Sequence, residues 1–383
     1  MAILHLFITS NTILTNTIKI MKNKTITGLF MCLMLFVSID TFAQLNTPRG
    51  SQQATVSQRI GVSDVSITYS RPSVNNREIW GKLVPYGMNN LGFGTATAAP
   101  WRAGANENTT ITFSHDAKVE GKSIKAGTYG LHLEVKADNT ATLILSKDAD
   151  AWGSYFYDKK NDALRATITT TSVPHHELLT YAFNDIKTNS ATASLAWEKK
   201  AFPFEVSFDV TNIVLDDFRQ KAKGQTGFQR QNWEQAANFA LNNGGDLNEA
   251  LGWIDKAISG QFFSQKTFNN MAIKAQLLNK LGKTEEFEAA LDEAASMANS
   301  NQLNRMGYQM LNLKDNDRAM KYFKKAVEID PENPNVYDSL GEAYKTIGDK
   351  KKAIKNFKKA LSMNPPANVK ANSEKNLKEL GAL

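Results

Sequence analysis

The chain has 383 residues, of which 42% are hydrophobic and 22% charged, with a formal net charge of +7 and a single cysteine. These proportions describe a globular chain and exclude a collagenous, low-complexity or disulfide-stapled one. The basic excess gathers in KKKAIKNFKK at 350–359, where the lysines recur on the outer side of one helix, so it reads as a solvated face and no nucleic-acid partner is expected.

Residues 21–43 read as a secretory signal peptide. MKNK at 21–24 is a basic start, LFMCLMLFV at 29–37 is a short apolar run, and TFA at 41–43 places a small residue ahead of Gln44. An apolar run of this length suits a cleavable signal better than a membrane span. Residues 1–20 then read as an over-extended start. Cleavage after Ala43 would remove Cys32, leaving no thiol for a disulfide, a nucleophile or a metal site. A periplasmic or secreted protein is expected, with no transmembrane helix in the mature chain.

Residues 45–210 read as an all-β domain, with a hydrophobic period of two from Gln53 to Val210. Val65, Ile67 and Tyr69 alternate with polar residues, as do Ile111 and Phe113, then Tyr129, Leu131, Leu133 and Val135. Leu143 and Leu145 follow, then Leu164 to Ile168, Leu179 to Phe183, Ala193 to Trp197 and Phe204 to Phe208. About eight strands joined by short polar turns predict an antiparallel sandwich or barrel. The Gly/Ala/Thr-rich segment MNNLGFGTATAAP at 88–100 reads as a flexible flap.

From 211 onward the period is near 3.6. Residues 211–230 read as a linker helix with Asn212 as its N-cap. With Pro334 as position 1, Leu340, Gly341, Tyr344, Ala353, Phe357, Ala360 and Pro365 recur 34 residues earlier as Met306, Gly307, Met310, Ala319, Phe323, Ala326 and Pro331. Gly282, Phe287, Leu291 and Ala294 mark a weaker unit at 268–299, and Gly245, Ala250, Ile254 and Ala257 another at 231–267. These residues resemble the tetratricopeptide (TPR) repeat. The resemblance implies four helical repeats over 231–367, a capping helix over 368–383 and an all-α solenoid. It also implies a concave groove lined by the first helix of each unit.

The groove positions would hold Asn232 and Gln235; Asn269 and Gln276; Asn301, Asn304 and Tyr308; and Asn335 and Asp338. Amides donate and accept together, which suits the backbone of an extended peptide. A protein or peptide partner is therefore expected there. The cationic set with which some repeats clamp a C-terminal carboxylate is lacking.

In the strand-rich half, VSQRIGVSDVSITYSRPSVNNREIWGKLVPYG (56–87), WRAGANENTTITFS (101–114), EGKSIKAGTYGLHL (120–133), WGSYFYD (152–158) and SATASLAWEK (190–199) together resemble the domain-of-unknown-function 2911 family of secreted bacterial proteins. The resemblance implies export and a β-rich domain and assigns no reaction. Tyr69, Arg71, Arg77, Trp101, Arg102, Asn106, Glu107 and Tyr155 are the candidate ligand-binding residues, since loops on a rigid sheet are where sites lie. Such aromatic and polar residues could hold an envelope glycan. The favoured reading is structural, with Arg71 and Arg102 paired to Glu78 and Glu107 and the Trp rings capping the core.

A glycoside hydrolase needs two facing carboxylates, and no spacing among Glu78, Glu107 and Asp116 selects a pair. No catalytic residue is assigned. His115 and His132 flank a hairpin and could face one another, while His175 and His176 are adjacent and point apart. No metal-binding spacing, nucleophile elbow or phosphate loop is present, and no cofactor is expected. The expected function is an exported, non-catalytic binding or scaffold protein. The alternative is a hydrolase of an envelope glycan with its site near Trp101 to Glu107.

Overall fold

The computed structural model describes residues 47–383. The signal peptide, its cleavage point and the over-extended start lie outside the described residues. Among the described residues, ten strands precede ten α-helices.

The strands are β1 (Gln52–Ile60), β2 (Ser63–Arg71), β3 (Thr110–Phe113), β4 (Ala117–Val119), β5 (Lys122–Ile124), β6 (Gly127–Val135), β7 (Thr140–Ser146), β8 (Asp162–Thr169), β9 (Thr171–Asn184) and β10 (Ser190–Phe208). They form two sheets, β1-β2-β3-β6-β7-β8 and β5-β4-β10-β9, with no closed barrel. Antiparallel register sets the inward rows side by side: Ile67 faces Ile111, Ile111 faces Tyr129, and Leu133 faces Leu143. Those rows meet Leu179, Tyr181, Leu195, Trp197, Phe204 and Val206 of the second sheet in one core. The arrangement is therefore the sandwich of the two alternatives.

Three strands differ from the alternation pattern. β1 is an exposed, polar edge, and β4 and β5 are three residues each, too short to show a period. The segments around Trp197 and Phe204 are one strand, because register shifts near Glu198 (φ 54°) let β10 bulge and continue.

The helices are α1 (Val210–Lys221), α2 (Arg230–Asn243), α3 (Leu247–Ile258), α4 (Phe268–Lys280), α5 (Thr284–Met297), α6 (Ser300–Asn312), α7 (Asn316–Ile329), α8 (Pro334–Thr346), α9 (Lys350–Ser362) and α10 (Ala367–Glu379). The N-cap of α1 is Asp209, whose carboxylate accepts from the Asn212 amide at 3.2 Å; Asn212 sits inside the helix. Side-chain caps also start α3 (Asp246), α4 (Thr267), α6 (Asn299), α7 (Asp315), α8 (Asn333) and α9 (Asp349).

The helices pair as α2/α3, α4/α5, α6/α7 and α8/α9, in a TPR-like array. Glycine permits the close approach within the last two pairs. A β-carbon on Gly307 would stand 2.6 Å from the Phe323 ring, and one on Gly341 2.8 Å from Phe357. Among the described residues no helix is long and apolar enough to cross a membrane.

Candidate functional site

The loop that follows residues 88–100 is tied into the sandwich at almost every residue. Trp101 and Leu133 exchange backbone hydrogen bonds at 2.8 and 2.9 Å, so Trp101 extends the β6 edge. Its ring stacks on Trp197 at 5.9 Å and meets the edge of Trp80 at 5.8 Å. The Arg102 guanidinium lies over the Tyr155 ring at 4.9 Å and donates to the Asn106 carbonyl. Ala103 is buried in the left-handed region, and its carbonyl accepts from Tyr181 Oη at 3.0 Å and Thr109 Oγ1 at 3.2 Å. Asn108 donates to the Asp148 carbonyl at 2.8 Å, pinning the loop to the strap after β7.

The remaining strand-side candidates are placed separately. Tyr69 is buried and its hydroxyl accepts from the Tyr181 amide at 3.0 Å. Arg71 donates to the Leu179 carbonyl at 3.0 Å and to Thr180 Oγ1 at 2.7 Å, joining β2 to β9. The expected pairing of Arg71 with Glu78 does not form; carbonyl and hydroxyl oxygens of β9 lie nearer. Arg77 donates to the carbonyls of Ser73 and Val74 in its own turn. Asn106 and Glu107 are half-buried. A cleft of about 590 Å³ on this part of the sandwich is lined by Asp148, Asp150, Phe156, Asp158 and neighbours, and by none of the candidates.

The segment 88–100 is not a free flap. Ala96 and Ala99 are buried with Ile144 and Tyr157 in a small second core. Asn89 and Ala99 bridge, and the Ala96 amide donates to the Tyr155 carbonyl at 3.0 Å. Residues 90–95, 97 and 98 are exposed, with Phe93 66% exposed at the tip. Apolar alanines docked on the outer face of a sheet outweigh the freedom that the glycines suggest.

His132 is buried beneath this layer. Its Nδ1 is 3.0 Å from Ser154 Oγ, and burial, with the nearby Arg102 charge, lowers its pKa to about 4. It is neutral at pH 7. His115 instead contacts Ser114, so the two histidines have separate partners. Among the described residues no group of three or more His, Cys, Asp or Glu is placed to hold a metal ion.

The helical array holds the more open site. Consecutive pairs pack closely where α3 meets α4, α7 meets α8 and α9 meets α10, but not where α5 meets α6. Two residues connect α5 to α6, whereas four connect α7 to α8. At this step opens a cleft of about 830 Å³, lined by residues of α2, α4, α5 and α6. Gln235, Asn269 and Gln276, three of the predicted groove residues, line it. So do Arg305, Gln309, Asn312 and Leu313, which repeat arithmetic based on a regular 34-residue unit does not place there.

The other groove candidates lie elsewhere. Asn232 donates to the Thr226 carbonyl at 2.8 Å. Asn301 is exposed, Asn304 and Asn335 are half-buried, and none of the three lines the cleft. Tyr308 donates to Glu342 at 2.6 Å. Asp338 is buried beneath α10, where Asn372 donates to it at 2.8 Å and Ser373 also donates to it. Burial raises the Asp338 pKa against the lowering effect of those two donors. Asn372 also reaches Glu342 at 2.7 Å, and Lys345 reaches Asn376 at 2.6 Å. The capping helix thus occupies the last stretch of the groove, and Asp338 presents no free face to a partner.

A β-sandwich followed by a TPR array defines the class: a two-part protein whose helical half belongs to the repeat-scaffold type. Residues 51–206 match the family described as "Protein of unknown function (DUF2911)", and residues 307–348 and 334–366 match tetratricopeptide-repeat models, so the chain carries both. Among curated proteins no relative matches. Similar solved structures include the MamA fragment from Desulfovibrio magneticus RS-1, with 20% identity and a TM-score of 0.30, covering 41% of this chain and 86% of that one. YrrB, a TPR protein with an unusual peptide-binding site, is 17% identical with a TM-score of 0.30, covering 43% and 84%. A thermophilic TPR protein of Thermus thermophilus is 17% identical with a TM-score of 0.28, covering 44% and 91%.

Proposed function

We propose that this chain is an exported, non-catalytic binding and scaffold protein of the bacterial envelope, whose helical array holds a protein or peptide partner. The observation that carries the reading is the open cleft between the second and third helix pairs, walled by TPR-type helices and rimmed with amides. Repeats of this kind bury their own core by stacking and leave a concave face for another chain. The strand-rich half supplies a rigid block with an exposed aromatic tip at Phe93, which meets Tyr155 at 5.4 Å and Phe156 at 6.1 Å. Export rests on the basic, apolar and small-residue order of residues 21–43.

The alternative, a hydrolase of an envelope glycan near Trp101 to Glu107, has less behind it. Trp101 is packed against two other indoles, and Arg71 and Arg102 are engaged by the protein itself.

The test uses the mature chain as bait in envelope extracts, beside a Gln276→Ala/Asn279→Ala variant. Bound proteins are identified by mass spectrometry. The expected result is a defined partner lost from the variant. Capture of the same proteins by both baits, or of none, overturns the reading. An epitope-tagged full-length chain that stays unprocessed in the cytosol would refute export.

A further inference from the structure

The cleft lined by α2, α4, α5 and α6 is shaped by a mismatch at the step from the second helix pair to the third. On one edge α7 is fastened to α5: Arg318 pairs with Glu288 at 3.0 Å, Lys321 with Asp292 at 2.9 Å, and Lys325 donates to the Ala295 carbonyl at 2.8 Å. On the other, α6 does not close on α4 or α5. Side chains that a regular junction would bury therefore remain accessible. Ile273 and Phe287 are half-buried and Leu313 is 55% exposed, above a floor that includes Leu291, Met306 and Met310.

The rim chemistry narrows the occupant. Asn269, Gln276 and Asn279 on one wall face Gln309 and Asn312 on the other, and among the described residues no side-chain hydrogen bond engages any of them. Free amides suit a chain whose own N–H and C=O groups are unsatisfied, which means an extended segment rather than a helix. Two charged residues line the cleft, Glu234 and Arg305. Glu234 is already paired with Arg230 at 2.5 Å and accepts from Asn270 at 2.9 Å. Arg305 has no ion-pair partner among the described residues, so the uncommitted charge of the cleft is positive.

We propose that this cleft binds an extended peptide segment in which a large apolar side chain adjoins an acidic one. The apolar group sits between Ile273 and Leu313 over the methionines, which adapt to its shape. The carboxylate is held by Arg305, and the rim amides take the peptide backbone. The inference rests on the partner-binding reading above and gives it a site and a ligand class.

The test pans a phage-displayed random heptapeptide library on the mature chain at low ionic strength. The enriched sequences are then synthesised and their affinities measured by fluorescence anisotropy. The expected consensus pairs Leu, Ile, Phe or Met with a neighbouring Asp or Glu. Arg305→Glu should weaken binding about tenfold or more, and Arg305→Lys should keep most of it. Leu313→Asp should weaken it comparably. Arg305 and Leu313 are both exposed, and circular dichroism verifies that the variants fold. Binders without an acidic residue, or with affinities unchanged by Arg305→Glu and Leu313→Asp, overturn the cleft assignment while leaving a partner-binding array in place. Enrichment of nothing over a bare-support control overturns both.

Discussion

Replacing Gly153 by alanine should unseat Arg102 and loosen the loop from Trp101 to Thr109. Gly153 has φ +61°, and a β-carbon there would lie 2.3 Å from Arg102 Cζ and 2.4 Å from Nη1. Three costs combine. The left-handed backbone costs an alanine about 1 kcal/mol. The displaced guanidinium loses its place over Tyr155, about 0.5–1 kcal/mol at a half-exposed site. It also loses the Asn106 carbonyl, about 1 kcal/mol once water has replaced part of the bond. The sum is about 2–3 kcal/mol. Urea denaturation read by tryptophan fluorescence reports it through Trp80, Trp101, Trp152 and Trp197 of the strand-rich half, while Trp233 and Trp253 report the helical half. The decisive comparison is Gly153→Ala in an Arg102→Ala background, where only the backbone cost of about 1 kcal/mol should remain. An equal cost in both backgrounds would show that Gly153 does not act through Arg102, and the packed account of the loop would fail.

Other outcomes follow from the same geometry. His132 titrates at about 4 in the folded protein against 6.5 for an unperturbed histidine. The unfolded chain therefore binds the extra proton first, and stability should fall by up to about 3 kcal/mol as pH drops from 6.5 towards 4. His132→Gln should flatten that part of the pH–stability curve, and an imidazole resonance titrating near 6.5 would contradict it. Gly→Ala should have opposite signs at two helical sites. At Gly252, exposed with open space around it, alanine should stabilise by about 0.5–1 kcal/mol. At Gly307, against Phe323, overpacking should destabilise by about 1–3 kcal/mol, and matching midpoint shifts in urea would refute the contrast. Ending the chain at Pro366 removes α10, strips cover from Asp338 and loses the burial of Val369 and Leu377. The helical transition should drop by roughly 3–6 kcal/mol, and an unchanged midpoint would mean that the cap is dispensable.

Much of the fold is legible in the residue order. Alternation such as Val65, Ile67 and Tyr69 declares a strand with one buried face, because successive side chains leave a strand on opposite sides. Gly307 and Gly341, each followed sixteen residues later by a Phe, declare helix pairs in close contact. Both are local periodicities, and local geometry suffices to produce them. The short strands β4 and β5 carry too few residues for a period, and the polar edge β1 has no buried face to mark it.

The candidate sites are less legible, since they depend on segments far apart in the chain. Whether Arg102 is free or held turns on Gly153 and Tyr155, and whether Arg71 meets Glu78 turns on where β9 runs. Asp338 has the spacing of a groove residue, yet Asn372 and Ser373 reach it first. The shortened step between α5 and α6 is present in the residue count. Its result, an open cleft with Arg305 at the rim, depends on α7 being fastened to α5 while α6 stays apart. The sequence by itself determined the two kinds of secondary structure and their order, because each is set by neighbours along the chain. The tertiary structure alone decided which polar side chains remain available, because each hydrogen-bonding group takes whichever partner folding brings nearest.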